Sequence, residues 1–176
     1  MPADRPYVFL DVDGVLIPFA ARATGRSPSP HVAADGEAIG NPLLERLDPE
    51  DGRRLLALDC QLVWATTWMA EANDVVAPLL GLPELPVVTW PDSDDEPLRG
   101  VHWKTAFLIR WAAGRTFVWL DDEISDRDRH WVSAHHPGEA LLHRVDPHLG
   151  LTDADFSTVR QWLAVNASKA ASPPAP

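Results

Sequence analysis

The sequence predicts an α/β fold, a mainly parallel sheet with helices on both faces, on three observations. Short apolar runs at residues 7–10, 62–65 and 116–120 read as buried strands, because a strand covered on both faces is apolar throughout. Segments of helical period lie between these runs, and such alternation calls for crossover connections rather than hairpins. Each of the three runs also ends in polar residues, at the strand ends where open parallel sheets bind ligands.

The first strand spans 7–10 and runs into Asp11-Val12-Asp13-Gly14-Val15-Leu16, a tight acidic turn. Residues 20–41 are rich in Gly, Ser, Pro and Ala and lack a period, so 18–42 is expected to be a flap or minimal cap over that turn. Asn41-Pro42 starts a helix with Asn41 as cap, followed by Leu43, Leu44 and Leu47 on one face. Asp48-Pro49-Glu50 starts another, with Leu55, Leu56 and Leu58 apolar. The second strand, 62–65, ends at Thr66-Thr67, and a helix over 69–80 stops at Gly81. A third strand is expected over 85–89, its Pro86 suited only to a strand start or an edge. An acidic loop, 91–100, precedes a helix over 101–113 that Gly114 ends. The fourth strand, 116–120, ends at Asp121-Asp122-Glu123, and a short helix follows over 124–134. A fifth strand over 139–145 and a final helix over 152–165, capped by Thr152 with Asp155, complete the pattern. One domain over 1–166 is expected, with 167–176 a disordered tail.

The bulk properties set bounds on function. At 176 residues there is room for one sizeable core. The formal net charge of −11 argues against a general grip on nucleic-acid backbone, though not against a nucleotide end as substrate. A single cysteine, Cys60, rules out an internal disulfide and reads as a small buried hydrophobe. With no signal-peptide pattern and no membrane-length apolar run, a cytoplasmic location is expected, with no membrane contact. Eight tryptophans read mostly as core or pocket wall. Two of them, Trp68 and Trp103, sit beside candidate site residues, where stacking on a substrate and packing in the core are both open.

Four polar groups recur at four element ends: Asp11 and Asp13, Thr66, Lys104, and Asp121 with Asp122. Two carboxylates crowded into one turn cost folding energy unless a cation or a reaction uses them. Lys104 is the only lysine before Lys169, so it has no lysine rival within the domain body. This order resembles the haloacid dehalogenase-like (HAD) hydrolase superfamily, whose motifs read Asp-x-Asp, then Ser or Thr after a strand, then Lys, then an acidic pair. Trp64-Ala65-Thr66-Thr67-Trp68 with Asn73, and Trp119-Leu120-Asp121-Asp122-Glu123, look like a small bacterial subgroup associated with RNA-repair proteins.

The resemblance implies a three-layer Rossmann-like HAD fold and a set of roles. Asp11 would be the nucleophile that forms an aspartyl-phosphate, and Asp13 the general acid and then base. Mg²⁺ would be held by Asp11, the Asp13 backbone carbonyl and Asp121 in an oxygen-only site. Asp122 would act on the metal through water or by fixing its geometry, with Asp126 a second candidate for that role. Thr66 and Lys104 would hold phosphoryl oxygens, and Lys104 would offset the aspartates. Asp128, like Asp126, reads as a surface or helix charge, and His135, His136, His143 and His148 as surface or loop residues. Val15 departs from the Thr common at its position in the superfamily, at little cost, since the backbone makes the turn.

The function implied is a Mg²⁺-dependent phosphomonoester hydrolase on a phosphorylated substrate, a small molecule or a nucleic-acid end. A dehalogenase would not keep the second Asp, and a phosphomutase has a larger cap. A receiver module also uses Asp, Thr and Lys around Mg²⁺, but there the acidic pair comes first in the chain, whereas here it comes last. The alternative kept open is a HAD-fold binding or interaction module with little turnover.

Overall fold

Tyr7–Leu10 forms strand β1, and all four residues are buried, as a central strand of a parallel sheet demands. The computed structural model describes residues 5–20, 41–90 and 99–170, and of 167–170 only the backbone. Three further strands, β2 (Gln61–Trp64), β3 (Phe117–Asp121) and β4 (Ala140–Arg144), pair in parallel in the order β2-β1-β3-β4. The helices are α1 (Pro49–Leu56), α2 (Ala77–Leu80), α3 (Thr105–Ala112), α4 (Asp126–His135) and α5 (Asp153–Ala170).

The pleat of β1 divides the core in two. Val8 and Leu10 join one cluster with Leu55 of α1, Leu80 of α2 and Phe156 and Val159 of α5. Tyr7 and Phe9 join the other with Leu108 of α3 and Val132 of α4. Alternate residues of one strand thus serve two helical layers, giving the three-layer α/β architecture. The chain passes from β1 to β2 on one side, then crosses to β3 on the other. The strand order therefore reverses between β1 and β3, the switch point at which α/β sheets form their crevice.

Several expectations change at their edges. Residues 85–89 do not form a full strand: one parallel bridge joins Trp64 to Val87, outside β2. There Trp64 N donates to the Pro86 carbonyl and Val88 N to the Trp64 carbonyl, each at 2.8 Å. Pro86 lacks the N–H that a longer ladder would use, so the segment ends the sheet. The helix expected over 69–80 begins with a π-turn at Ala72–Val76. Pro78 cannot donate, and its ring crowds the carbonyl four residues back, which favours the wider turn. Gly81 ends that helix in the left-handed conformation, as expected.

Asn41 caps as expected, but Pro42–Arg46 is a 3-10 turn that leaves Leu43 exposed and Leu47 buried. Leu56 likewise faces solvent while Leu55 and Leu58 are buried. Ala113, one residue before Gly114, is the left-handed cap of α3. The α5 helix runs to Ala170, four residues past the expected end of the domain. Of the expected flap, residues 21–40 lie outside the described residues, as do 91–98 of the acidic loop and 171–176 of the tail. Among the described residues no helix is long and apolar enough to cross a membrane.

Candidate active site

Asp11 is the residue after β1 and Asp121 the last residue of β3, so adjacent strands deliver two carboxylates to the switch point. The Asp11 amide extends the pairing by donating to the Leu120 carbonyl at 3.2 Å. Lys104, the residue before α3, reaches both: its Nζ donates to Asp11 Oδ2 at 2.7 Å and to Asp121 Oδ2 at 2.9 Å. All three side chains are buried, Asp121 completely. The remaining oxygens are held by backbone, Asp11 Oδ1 by Val12 N at 2.8 Å and Asp121 Oδ1 by Glu123 N at 2.9 Å.

Asp122 completes the cluster. Carboxylate oxygens of Asp11, Asp121 and Asp122 lie within 4.8 Å of one another. Its backbone is fixed by Arg144 of β4, whose Nε donates to the Asp122 carbonyl at 2.9 Å. Its side chain sits against Gly14, where a Cβ would fall 2.6 Å from the Asp122 carboxyl carbon. Gly14 also has φ +73°, so the Asp-x-Asp-Gly turn needs glycine for its conformation and for the room it leaves Asp122.

Two buried carboxylates and the half-buried Asp122 face one ammonium, so acidic groups outnumber their counter-charge. Burial pushes Asp11 up to about 7, partly opposed by Lys104 and reinforced by Asp121. Asp122 is raised too, by burial and then by Asp121. Burial works to lower Lys104, but Asp11 and Asp121 outweigh it and hold the ammonium above its ordinary range. Hard oxygen donors that outnumber their one counter-charge fit a divalent cation such as Mg²⁺. A mixed set, His102, Asp121 and Glu123, also approaches within 4.8 Å. His102 is occupied there: Lys104 N donates to its Nδ1 at 3.2 Å, and its Nε2 pairs with Glu123 at 3.0 Å.

Asp13 stands apart from the carboxylate cluster. It is half-buried, and its Oδ2 accepts the indole N–H of Trp68 at 2.9 Å. Thr66, fully buried after β2, accepts the Trp68 amide on its hydroxyl at 3.3 Å, which leaves its own O–H to donate. Trp90 fixes the Thr66 carbonyl through its indole N–H at 3.0 Å and meets the half-exposed Trp103 edge-on. Trp68 therefore contacts a site carboxylate while still packing on the core, and Trp103 lies within 5.7 Å of the Lys104 ammonium.

Asp126, the second candidate metal residue, is not at the site. Its fully exposed side chain pairs with Arg129 at 2.8 Å, because its place in the first turn of α4 points it to solvent. Asp128, read as a surface charge, is completely buried. Its Oδ1 accepts His102 N at 2.6 Å and Thr105 Oγ1 at 2.8 Å, and its Oδ2 accepts Ser125 N at 2.8 Å and Ser125 Oγ at 2.5 Å. It thereby ties α4 to both residues flanking the Trp103-Lys104 pair. The signal was the spacing Ser125-x-x-Asp128, a capping box with Asp in the fourth place. Of the histidines taken as surface or loop residues, His136 is buried with Nε2 on the Arg115 carbonyl, and His143 pairs with Asp155 at 2.7 Å. Cys60 is half-buried on the core, and burial pushes its thiol up to about 12, so it is unreactive.

Comparison with known proteins bears on the family and the fold. Residues 7–156 match the family described as the HAD domain in Swiss Army Knife RNA repair proteins. The fold is similar to that of the HAD domain of the effector protein Lem4 from Legionella pneumophila, at TM-score 0.52 and 11% identity, over 96% of this chain and 98% of that one. No curated protein matches the chain.

Proposed function

The chain belongs to the family of HAD domains found in Swiss Army Knife RNA repair proteins, and from that premise we propose that it is a Mg²⁺-dependent phosphomonoester hydrolase working through an aspartyl-phosphate. The observation that carries the reading is the buried Asp11-Lys104-Asp121 triangle at the switch point, with Asp122 beside it. A packing role does not account for an excess of buried negative charge there, since burial of unpaired charge costs several kcal/mol per ion.

In this reading Asp11, Asp121 and the Asp13 carbonyl would hold Mg²⁺, with Asp122 acting through water or fixing its geometry, and the ion would supply positive charge to the phosphoryl oxygens. An Asp11 oxygen attacks phosphorus as the bond to the leaving oxygen breaks, and Asp13 gives its proton to that oxygen. Asp13 then takes a proton from the water that attacks the phosphorus, the bond to Asp11 breaks, and inorganic phosphate leaves. Lys104 and the Thr66 hydroxyl steady the remaining phosphoryl oxygens as charge redistributes. The family's setting in RNA repair supports a phosphate at a polynucleotide end as substrate class. The net charge of −11 favours contact with such an end rather than with a long stretch of backbone.

The test is hydrolysis of p-nitrophenyl phosphate with Mg²⁺ and with chelator, by wild type and Asp11→Asn. The expected result is metal-dependent turnover that disappears in the variant. Turnover that persists in Asp11→Asn overturns the mechanism. Mg²⁺ binding without turnover on aryl, nucleotide or polynucleotide phosphates favours a binding module instead.

A further inference from the structure

The hydrogen bond between Trp68 Nε1 and Asp13 Oδ2, 2.9 Å long, joins groups 55 residues apart in sequence. Trp68 is itself held on several sides. Its amide donates to Thr66 Oγ1, and its ring packs on the core cluster that contains Val12 and Val15. The next residue, Met69, has φ +53°, the left-handed region that a non-glycine residue enters only under strain. That strained turn, closed by Met69 N on the Thr66 carbonyl at 3.3 Å, carries the indole over the Asp-x-Asp turn.

We propose that Trp68 is a positioning residue for Asp13, fixing the carboxyl rotamer and directing the transferable proton to Oδ1; this rests on the phosphatase reading above. An indole N–H only donates, so it occupies a lone pair on Oδ2 and can never take the acid's proton. Oδ1 is left to carry that proton to the leaving oxygen as the Asp11–phosphorus bond forms, and to take one from water in the second step. Core packing alone explains an apolar ring at this position but not its polar edge on a half-exposed carboxylate.

The experiment compares kcat/KM for p-nitrophenyl phosphate, whose leaving group needs little protonation, with that for β-glycerol phosphate, whose leaving alkoxide needs it. Trp68→Phe keeps the ring and deletes the N–H. The ratio of the two values is expected to widen about tenfold, within the range of general acid catalysis. Asp13→Asn widens it at least as far, and adding Trp68→Phe to Asp13→Asn widens it no further. An equal loss on both substrates, or no loss, overturns the role. Absence of wild-type turnover on these two substrates and on nucleotide and polynucleotide phosphates as well overturns the phosphatase reading, and the role with it. Where Trp68→Phe does not fold, the indole N–H resonance of Trp68 is read instead: a shift on Asp13→Asn supports the contact, and an unmoved resonance overturns it.

Discussion

Asp11 and Asp128 are both buried carboxylates, and they are used in opposite ways. Asp128 accepts four hydrogen bonds from Ser125, His102 and Thr105. Burial opposes its charge, but those donors outweigh it and hold it below the usual carboxylate range. Asp11 shares one ammonium with Asp121, and its pKa is raised to about 7. A carboxylate that accepts four donors is finished structure, whereas one that accepts only two, as Asp11 does, keeps lone pairs for a ligand, which in the proposed reading is a cation and a phosphoryl group.

The largest way to break this contrast is Asp11→Asn, expected to lower kcat about 10⁴-fold or more while leaving the melting temperature equal or higher, since a buried charge is removed. Steady-state kinetics beside thermal melts checks both halves, and a melting temperature that falls with activity would contradict the division of roles. Asp128→Asn should act the other way round. The amide replaces an acceptor oxygen with a donor, leaving two donors unpaired, which costs about 2–3 kcal/mol. At about 2–4 °C per kcal/mol this is a loss of about 4–12 °C in melting temperature. Turnover also falls as the Lys104 segment loosens, but the melt is the discriminating readout.

A third expectation sharpens the comparison through pH. In chelated protein the folded pKa of Asp11 lies near 7, above its unfolded value of 3.8. The folded state then holds a proton that the unfolded state has released, so this stabilising contribution is complete below the unfolded value and is lost as pH rises through about 7. Metal-free wild type should lose melting temperature between pH 5 and pH 8, and Asp11→Asn should lose less. An identical slope in the two proteins would assign the dependence elsewhere. The smallest effect is expected two residues before Asp128: Asp126→Asn should change stability by less than about 0.5 kcal/mol and kcat by less than about twofold. A large loss of turnover there would return Asp126 to the metal site.

What the sequence made legible follows the same physics. Asp11, Thr66 and Asp121 were readable because each ends an apolar run, so the strand that places it also announces it. Lys104 was readable because no other lysine competes within the domain body. Asp128 was not, since a helix charge shows its burial only once α4 is docked on the segment before α3. His102 went unweighed for the same reason, its two ring contacts being tertiary. Residues 85–89 looked like a strand because apolar content signals burial, while the missing Pro86 donor limits the pairing to one bridge. The extra turn of α5 lay in small residues that read equally well as tail.

The triangle around Lys104 also has an order of assembly built into it. Lys104 and Asp121 are 17 residues apart, whereas Lys104 and Asp11 are 93 apart. Closing the longer loop costs about 1.5 kcal/mol more in chain entropy. Loop entropy therefore favours the ammonium meeting Asp121 first, with β1 then bringing Asp11 to a cation already in place. On that order Asp11 and Asp121 are brought together with their counter-charge present, so their mutual repulsion is offset as it arises.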